Sequence, residues 1–172
     1  MKLALIGFMA SGKSSVAKQL SRISGMAVVA TDTLALQISR MGSIREIFEK
    51  EGERGFRAYE SRALEAALNS DSKILDLGGG IIESDSNILR LKATKIQVVW
   101  LKVSFETAKR RAAIDAARPL FDNPATARKL FNRRQAIYES VAGTVIENEG
   151  DSADETAKII WERLELQHTP KL

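Results

Sequence analysis

The chain contains no cysteine, so neither a disulfide framework nor a cysteine-based metal site is open to it. Its one histidine, His168, stands near the end of the sequence and is given no role. There is no internal repeat and no stretch rich enough in Gly, Ser or Pro to act as a linker, which points to one domain over residues 1–172. No apolar run approaches the ~18 residues that would suggest a membrane span. The N-terminus runs straight into a strand-like segment without a signal-peptide h-region or cleavage site, so a cytoplasmic location is expected, with no membrane partner. Aromatics are few, with six Phe, two Tyr and two Trp, and no basic stripe is interleaved with them. Nucleic acid is therefore not the expected partner. What is present is ordinary for a soluble globular chain: 172 residues, 44% hydrophobic and 28% charged. That length can bury a substantial core. The modest net charge of +4 suits an anionic ligand or, were the aromatics and basic stripe there, nucleic acid.

The most informative stretch is Gly7-Phe8-Met9-Ala10-Ser11-Gly12-Lys13-Ser14-Ser15. It fits G-x-x-x-x-G-K-[ST], the phosphate-binding P-loop. Gly7 and Gly12 permit backbone angles that turn consecutive N–H groups inward around a phosphate, with Ala10 and Ser11 between them. Lys13 supplies a point charge for the β- and γ-phosphates, and the Ser14 hydroxyl is a hard oxygen suited to Mg²⁺. The context agrees. Leu3 to Ile6 reads as a buried strand, and Val16, Ala17, Leu20 and Ile23 recur at helical spacing after Lys13. The helix aims the positive end of its dipole at the same anion.

Further along, Met26 to Val29 reads as a second strand. Asp32 follows it, either as a ligand-facing acid at the strand end or as the N-cap of a helix from about Thr33. Ser43 and Glu46 form a capping box. Gly52 is expected to end that helix, and a second one runs from about Glu53 to Asn69 with Phe56, Tyr59, Leu64 and Leu68 inward. Lys73 to Leu77 is a strand carrying Asp76, the best candidate for the acid that holds hydrated Mg²⁺ in P-loop enzymes. Gly78-Gly79-Gly80 follows at once, read either as a turn or as bare backbone that a ligand can approach. A helix from Ser84 to Ala93 and a strand from Ile96 to Val103 come next, then a helix capped by Ser104. Arg110, Arg111, Asp115 and Arg118 stand before Pro119, as a phosphate-closing loop or a solvated basic surface. Pro124 opens a helix to about Val141 bearing Leu130, Phe131, Arg133, Arg134 and Ile137. A last strand at Thr144 to Ile146 precedes a helix begun by Asp151 or Ser152, with Ile159, Ile160, Leu164 and Leu166, and a frayed tail from His168. Strands alternating with helices imply an α/β fold with a parallel sheet flanked by helices.

Taken together, these motifs resemble the shikimate kinase family. The phrases that carry the resemblance are Gly7 to Ser15, Phe48-x-x-x-Gly52-Glu53-x-x-Phe56-Arg57-x-x-Glu60, the triplet Gly78 to Gly80, Arg111 with Arg118-Pro119-Leu120, and Arg134-x-x-x-Tyr138-x-x-Val141-Ala142. The resemblance runs from about Lys2 to Leu164. It implies the P-loop kinase fold with five parallel strands, a substrate-binding segment at about 32–60 and a lid at about 111–124. It also implies transfer of phosphate from ATP to the 3-hydroxyl of shikimate, with ATP and Mg²⁺ required and a monomer expected. By position, Asp32 would bind substrate hydroxyls and help deprotonate the attacking one. Arg57 and Arg134 would grip the carboxylate, and Gly78, Gly79 and Gly80 would line the ring site. Arg118 would reach the phosphates, and Arg111 would pack on the adenine.

Two positions depart from the family pattern. Ala30 stands where the family has the first acid of Asp-x-Asp, and Ala116 stands where a lysine commonly follows Asp115. The expected compensation for Ala30 is Asp76 taking up the metal's water shell, beside Ser14. Two other readings share these motifs: a related kinase for a different hydroxy acid, and a nucleotide-binding protein without turnover.

Overall fold

The computed structural model describes residues 2–114, 123–150 and 152–168, with side chains as far as 164. Five strands form one parallel sheet: β1 (Leu3–Ile6), β2 (Val28–Ala30), β3 (Ile74–Asp76), β4 (Gln97–Lys102) and β5 (Thr144–Glu147). Their order across the sheet is β2-β3-β1-β4-β5. After β1 the chain first fills one side of the sheet and then crosses to the other. The loop leaving β1 therefore sits at the switch point, where α/β sheets gather ligands. The helices are α1 (Lys13–Ser24), α2 (Thr31–Ser39), α3 (Ile44–Asn69), α4 (Asp85–Ala93), α5 (Phe105–Ile114), α6 (Pro124–Val141) and α7 (Ala153–His168). The α/β P-loop kinase fold expected from the motifs is the fold observed.

Strand alternation divides the core into two layers. Leu3 and Leu5 of β1 pack with Val16, Ala17 and Leu20 of α1 and Ala157, Ile160 and Leu164 of α7. Ala4 and Ile6 face the other way, toward Leu64 and Ala67 of α3 and Phe131 and Tyr138 of α6. With both faces covered, β1 is buried throughout, which is why it reads as an unbroken apolar run.

Several boundaries differ from the sequence expectation. β2 begins at Val28 rather than Met26. Ile23 and Ile159 are exposed, because the buried stripes of α1 and α7 pass through Leu20 and Ile160 instead. Tyr59 and Leu68 are only half-buried, and the inward line of α3 runs through Phe56, Glu60, Ala63, Leu64 and Ala67. At Gly52 the expectation holds: two helical halves, 44–51 and 53–69, meet there, where φ 67° and ψ −174° leave the helical path. Ser43 Oγ accepts from Glu46 N at 3.1 Å, as a capping box requires. The Glu46 carboxylate reaches back one residue further, to Gly42 N. Ser104, Asn123 and Ser152 cap α5, α6 and α7. Asp151, Leu166 and the tail beyond His168 lie outside the described side chains.

Candidate active site

The P-loop leaves β1 and enters α1 with Ala10 at φ 59° and Gly12 at φ 88°, both left-handed. Such backbone persists where the surroundings over-determine it, and here it folds the loop into a concave nest. Gly12 is the residue before α1, which has no side-chain cap and no acid in its first turn. Its leading N–H groups thus meet no carboxylate from the helix's own first turn, which suits an anion. Lys13 Nζ donates to the carbonyls of Gly7 (2.9 Å) and Phe8 (3.1 Å), lying along the rim of the same loop. These features fit a phosphate chain. Ser14 and Ser15 are exposed at the helix start.

Across the sheet edge stands the glycine triplet after β3. A Cβ on Gly78 would come within 2.7 Å of Asp32 Oδ1, and one on Gly79 within 3.1 Å of the Gly7 carbonyl and 3.6 Å of Arg134 Nη1. A Cβ on Gly80 would overlap the guanidinium of Arg57. The triplet, which turns at Gly79 and Gly80, is therefore a bare wall against which three expected substrate ligands rest. Thr31, fully buried, ties that wall to β2: Gly78 N donates to Thr31 Oγ1 at 2.8 Å. Asp32 is not an N-cap. α2 starts at Thr31 from Ala30 with no side-chain cap, so Asp32 lies inside the first turn and is free of that duty.

Arg57 and Arg134 meet at Glu83, which lies in a short 3₁₀ turn, Ile81–Glu83. Glu83 Oε2 accepts from Arg134 Nη2 at 2.8 Å and from Arg57 Nη2 at 3.2 Å, while Oε1 accepts from Arg133. Burial would raise the Glu83 pKa, but the bonds and charges of Arg134 and Arg133 outweigh it and hold the carboxyl below the usual glutamate value. Arg134 is 5% exposed, and its Nε is a buried donor without an acceptor. An orphaned donor on a buried guanidinium is costly, and a ligand carboxylate is the group that would relieve it. Arg57 also pairs with Glu60, which is 3% exposed on the inward face of α3. Burial raises the Glu60 pKa, more than Arg57 lowers it. Tyr138 Oη donates to Gly79 O at 2.8 Å, and burial pushes its pKa up, so it serves as a neutral donor.

On the metal side, Asp76 closes β3 largely buried, in register with Ala30 of β2. Register partners in a parallel sheet point the same way. The acid absent at position 30 thus has a carboxylate beside it on the neighbouring strand. Among the described residues no cluster of three His, Cys, Asp or Glu could hold a metal alone. A cation here would need water and phosphate oxygens for its remaining ligands, which suits Mg²⁺. Arg111 Nη2 donates to the carbonyls of Asn148, at 2.8 Å, and Gly150, so it borders the loop after β5. Asp115, Ala116, Arg118, Pro119 and Leu120 lie outside the described residues.

A family model described as shikimate kinase matches residues 9–165. The chain belongs to the shikimate kinase family. Among its curated relatives, the shikimate kinase of Moorella thermoacetica is 36% identical over 94% of this chain and 93% of its own. That of Helicobacter hepaticus is 36% identical over 92% and 93%. Among solved structures, shikimate kinase from Acinetobacter baumannii in complex with shikimate superposes with a TM-score of 0.89. It is 32% identical and covers 99% of this chain and 95% of that one. A gluconokinase from Sinorhizobium meliloti, 14% identical with a TM-score of 0.62 and 98% and 97% coverage, shares the fold alone.

Sequence reasoning gave no role to Glu60, Glu83, Thr31 or Asn148 in this kinase. Glu60 was detectable: it falls on the inward line between Phe56 and Ala63, three residues from Arg57. Asn148 stands at a strand's carboxyl end, where ligands gather. Glu83 had no such signal.

Proposed function

We propose that this kinase transfers the γ-phosphoryl group of ATP to the 3-hydroxyl of shikimate, giving shikimate 3-phosphate and ADP, a step toward chorismate and the aromatic amino acids. The observation that supports this reading is the glycine triplet: Asp32, Arg134 and Arg57 lie against its three residues in turn, and Gly79 lies against the Gly7 carbonyl of the P-loop. The arginines present forked donors to a planar carboxylate and orient the ring. Asp32 accepts a hydrogen bond from the attacking hydroxyl and takes its proton. The Gly7–Ser15 loop, Lys13 and the N-terminus of α1 hold the phosphates, and Arg118 adds charge from the lid at about 111–124. Phosphoryl transfer depends chiefly on such positioning and charge neutralisation. A bound Mg²⁺ would supply charge neutralisation at the phosphates. Ser14 and Asp76 are the residues assigned to it, Asp76 through its water shell. Residues 32–60 form the substrate-binding segment, Arg111 flanks the adenine, and the protein works as a cytoplasmic monomer. Among the described residues, no helix is long and apolar enough to cross a membrane.

The test is ADP release with Mg²⁺ and ATP, with and without shikimate, the product confirmed by mass. Shikimate-dependent turnover that disappears in Lys13→Ala is the expected result. Binding of ATP without turnover on shikimate would overturn the acceptor assignment. For the metal, Asp76→Ala should raise the Mg²⁺ concentration needed for half-maximal rate, and an unchanged requirement would remove Asp76 from that role.

A further inference from the structure

Asn148, the residue after β5, is 5% exposed, and each of its four polar groups is engaged by a different part of the fold. Its backbone N–H donates to Lys102 O at the end of β4, at 2.8 Å. Its carbonyl accepts from Arg111 of α5 at 2.8 Å. Its side-chain Nδ2 donates to Ser11 O in the P-loop at 2.7 Å, and its Oδ1 accepts from Thr156 Oγ1 of α7 at 2.7 Å. The fit is close: a Cβ on Gly12 would stand 3.0 Å from Asn148 Nδ2. The Ser11 carbonyl, which can only accept, fixes which end of the amide faces it, and Thr156 Oγ1, which also lies 3.1 Å from Ser152 O, supports the Oδ1 end.

We infer that Asn148 is a positioning residue for the phosphate cradle; the inference rests on the P-loop's role in the function proposed above. A trans peptide holds its C=O and N–H on opposite sides of one plane. Pinning Ser11 O toward Asn148 turns Gly12 N–H to the other side, away from Asn148. If the peptide were free to rotate, its carbonyl dipole could face the anion and oppose binding. Asn148 removes that freedom and fastens the cradle to the Arg111-bordered loop beside it. Its effect should fall on the phosphates rather than on the base.

The experiment is calorimetric binding of ADP, adenosine and shikimate to wild type, Asn148→Asp and Thr156→Val. Asp has the same shape as Asn but cannot donate to Ser11 O. In Asn148→Asp, ADP affinity should fall about tenfold or more, the scale of one buried hydrogen bond replaced by a repulsive contact. Adenosine and shikimate affinities should stay within about twofold of wild type. Thr156→Val loosens the amide's orientation and should weaken ADP alone, by a smaller factor. Should Asn148→Asp fail to fold, the Thr156→Val result decides. Equal losses for ADP and adenosine, or no loss for ADP, would overturn the inference while leaving the kinase reading standing. Wild-type protein that binds no ADP would instead overturn the kinase reading and this inference with it.

Discussion

Arg134 and Glu83 show how much one pair of side chains settles. Arg134 is buried with an unsatisfied Nε, and its charge is balanced by a carboxylate brought from 51 residues away. Arg134→Lys keeps the charge and loses the fork. Steady-state kinetics should show the KM for shikimate rising roughly 10- to 100-fold, the cost of charge-assisted hydrogen bonds, with the KM for ATP unchanged. Glu83 can be tested by pH. Its pKa is depressed below the unfolded value of 4.5 by Arg134 and Arg133, against the effect of burial. A carboxyl with a depressed folded pKa contributes stability above its unfolded pKa and loses it as pH falls through the folded one. Melting curves between about pH 6 and pH 3 should therefore drop below the ordinary glutamate range, and Glu83→Gln should flatten that drop while lowering Tm at neutral pH. Glu60 runs the other way: its raised pKa makes its contribution greatest below 4.5 and lost as pH rises toward the folded value. The difference between wild type and Glu83→Gln isolates the Glu83 part.

At the scale of elements, α3 and the glycine triplet hold the proposed substrate side together. Gly52 lets α3 change direction at φ 67° and ψ −174°, a region essentially closed to other residues. The turn of helix before it brings Phe48 onto Phe56, ring centroids 4.6 Å apart. Gly52→Ala should cost about 1–3 kcal/mol, seen as a Tm lower by several degrees. Gly80→Ala would drive a methyl into the Arg57 guanidinium, and kcat/KM for shikimate should fall with ATP binding intact. These elements also show what could be read beforehand. The strand, P-loop and first helix were legible because glycines, lysine and apolar spacing are all local signals. Gly52 was legible as the break between two helices, and the helical path does break there; the direction in which the second half leaves was not, since that depends on what the two halves pack against. Arg57 and Arg134 were legible only as members of phrases. Glu83, which joins them, is an acid in an exposed-looking sequence whose partners come from α3 and α6. Thr31 and Asn148 act through backbone atoms of distant loops, and no spacing along the chain encodes such contacts.

At the scale of the molecule, the proposed nucleotide side draws on pieces of β1, β4, β5, α1, α5 and α7, so occupancy should stiffen the whole domain. Ligand at 100 times its Kd adds about 2.7 kcal/mol. For a chain of this size that is a Tm rise of about 5–10 °C with ADP, measurable by differential scanning fluorimetry and absent in Lys13→Ala.

Ala30 and Asp76 face each other across β2 and β3, 46 positions apart in the chain and neighbours in the sheet. An acid on either strand is presented from the same pair of rungs. Under the proposed metal role, the site would need a charge at an address in the sheet, and either strand could deliver it. Moving the carboxylate, as Ala30→Asp with Asp76→Ala, should return the Mg²⁺ requirement toward that of the wild type after Asp76→Ala alone has raised it. A scan of the letters following the second strand would score this chain as lacking an acid that its third strand carries.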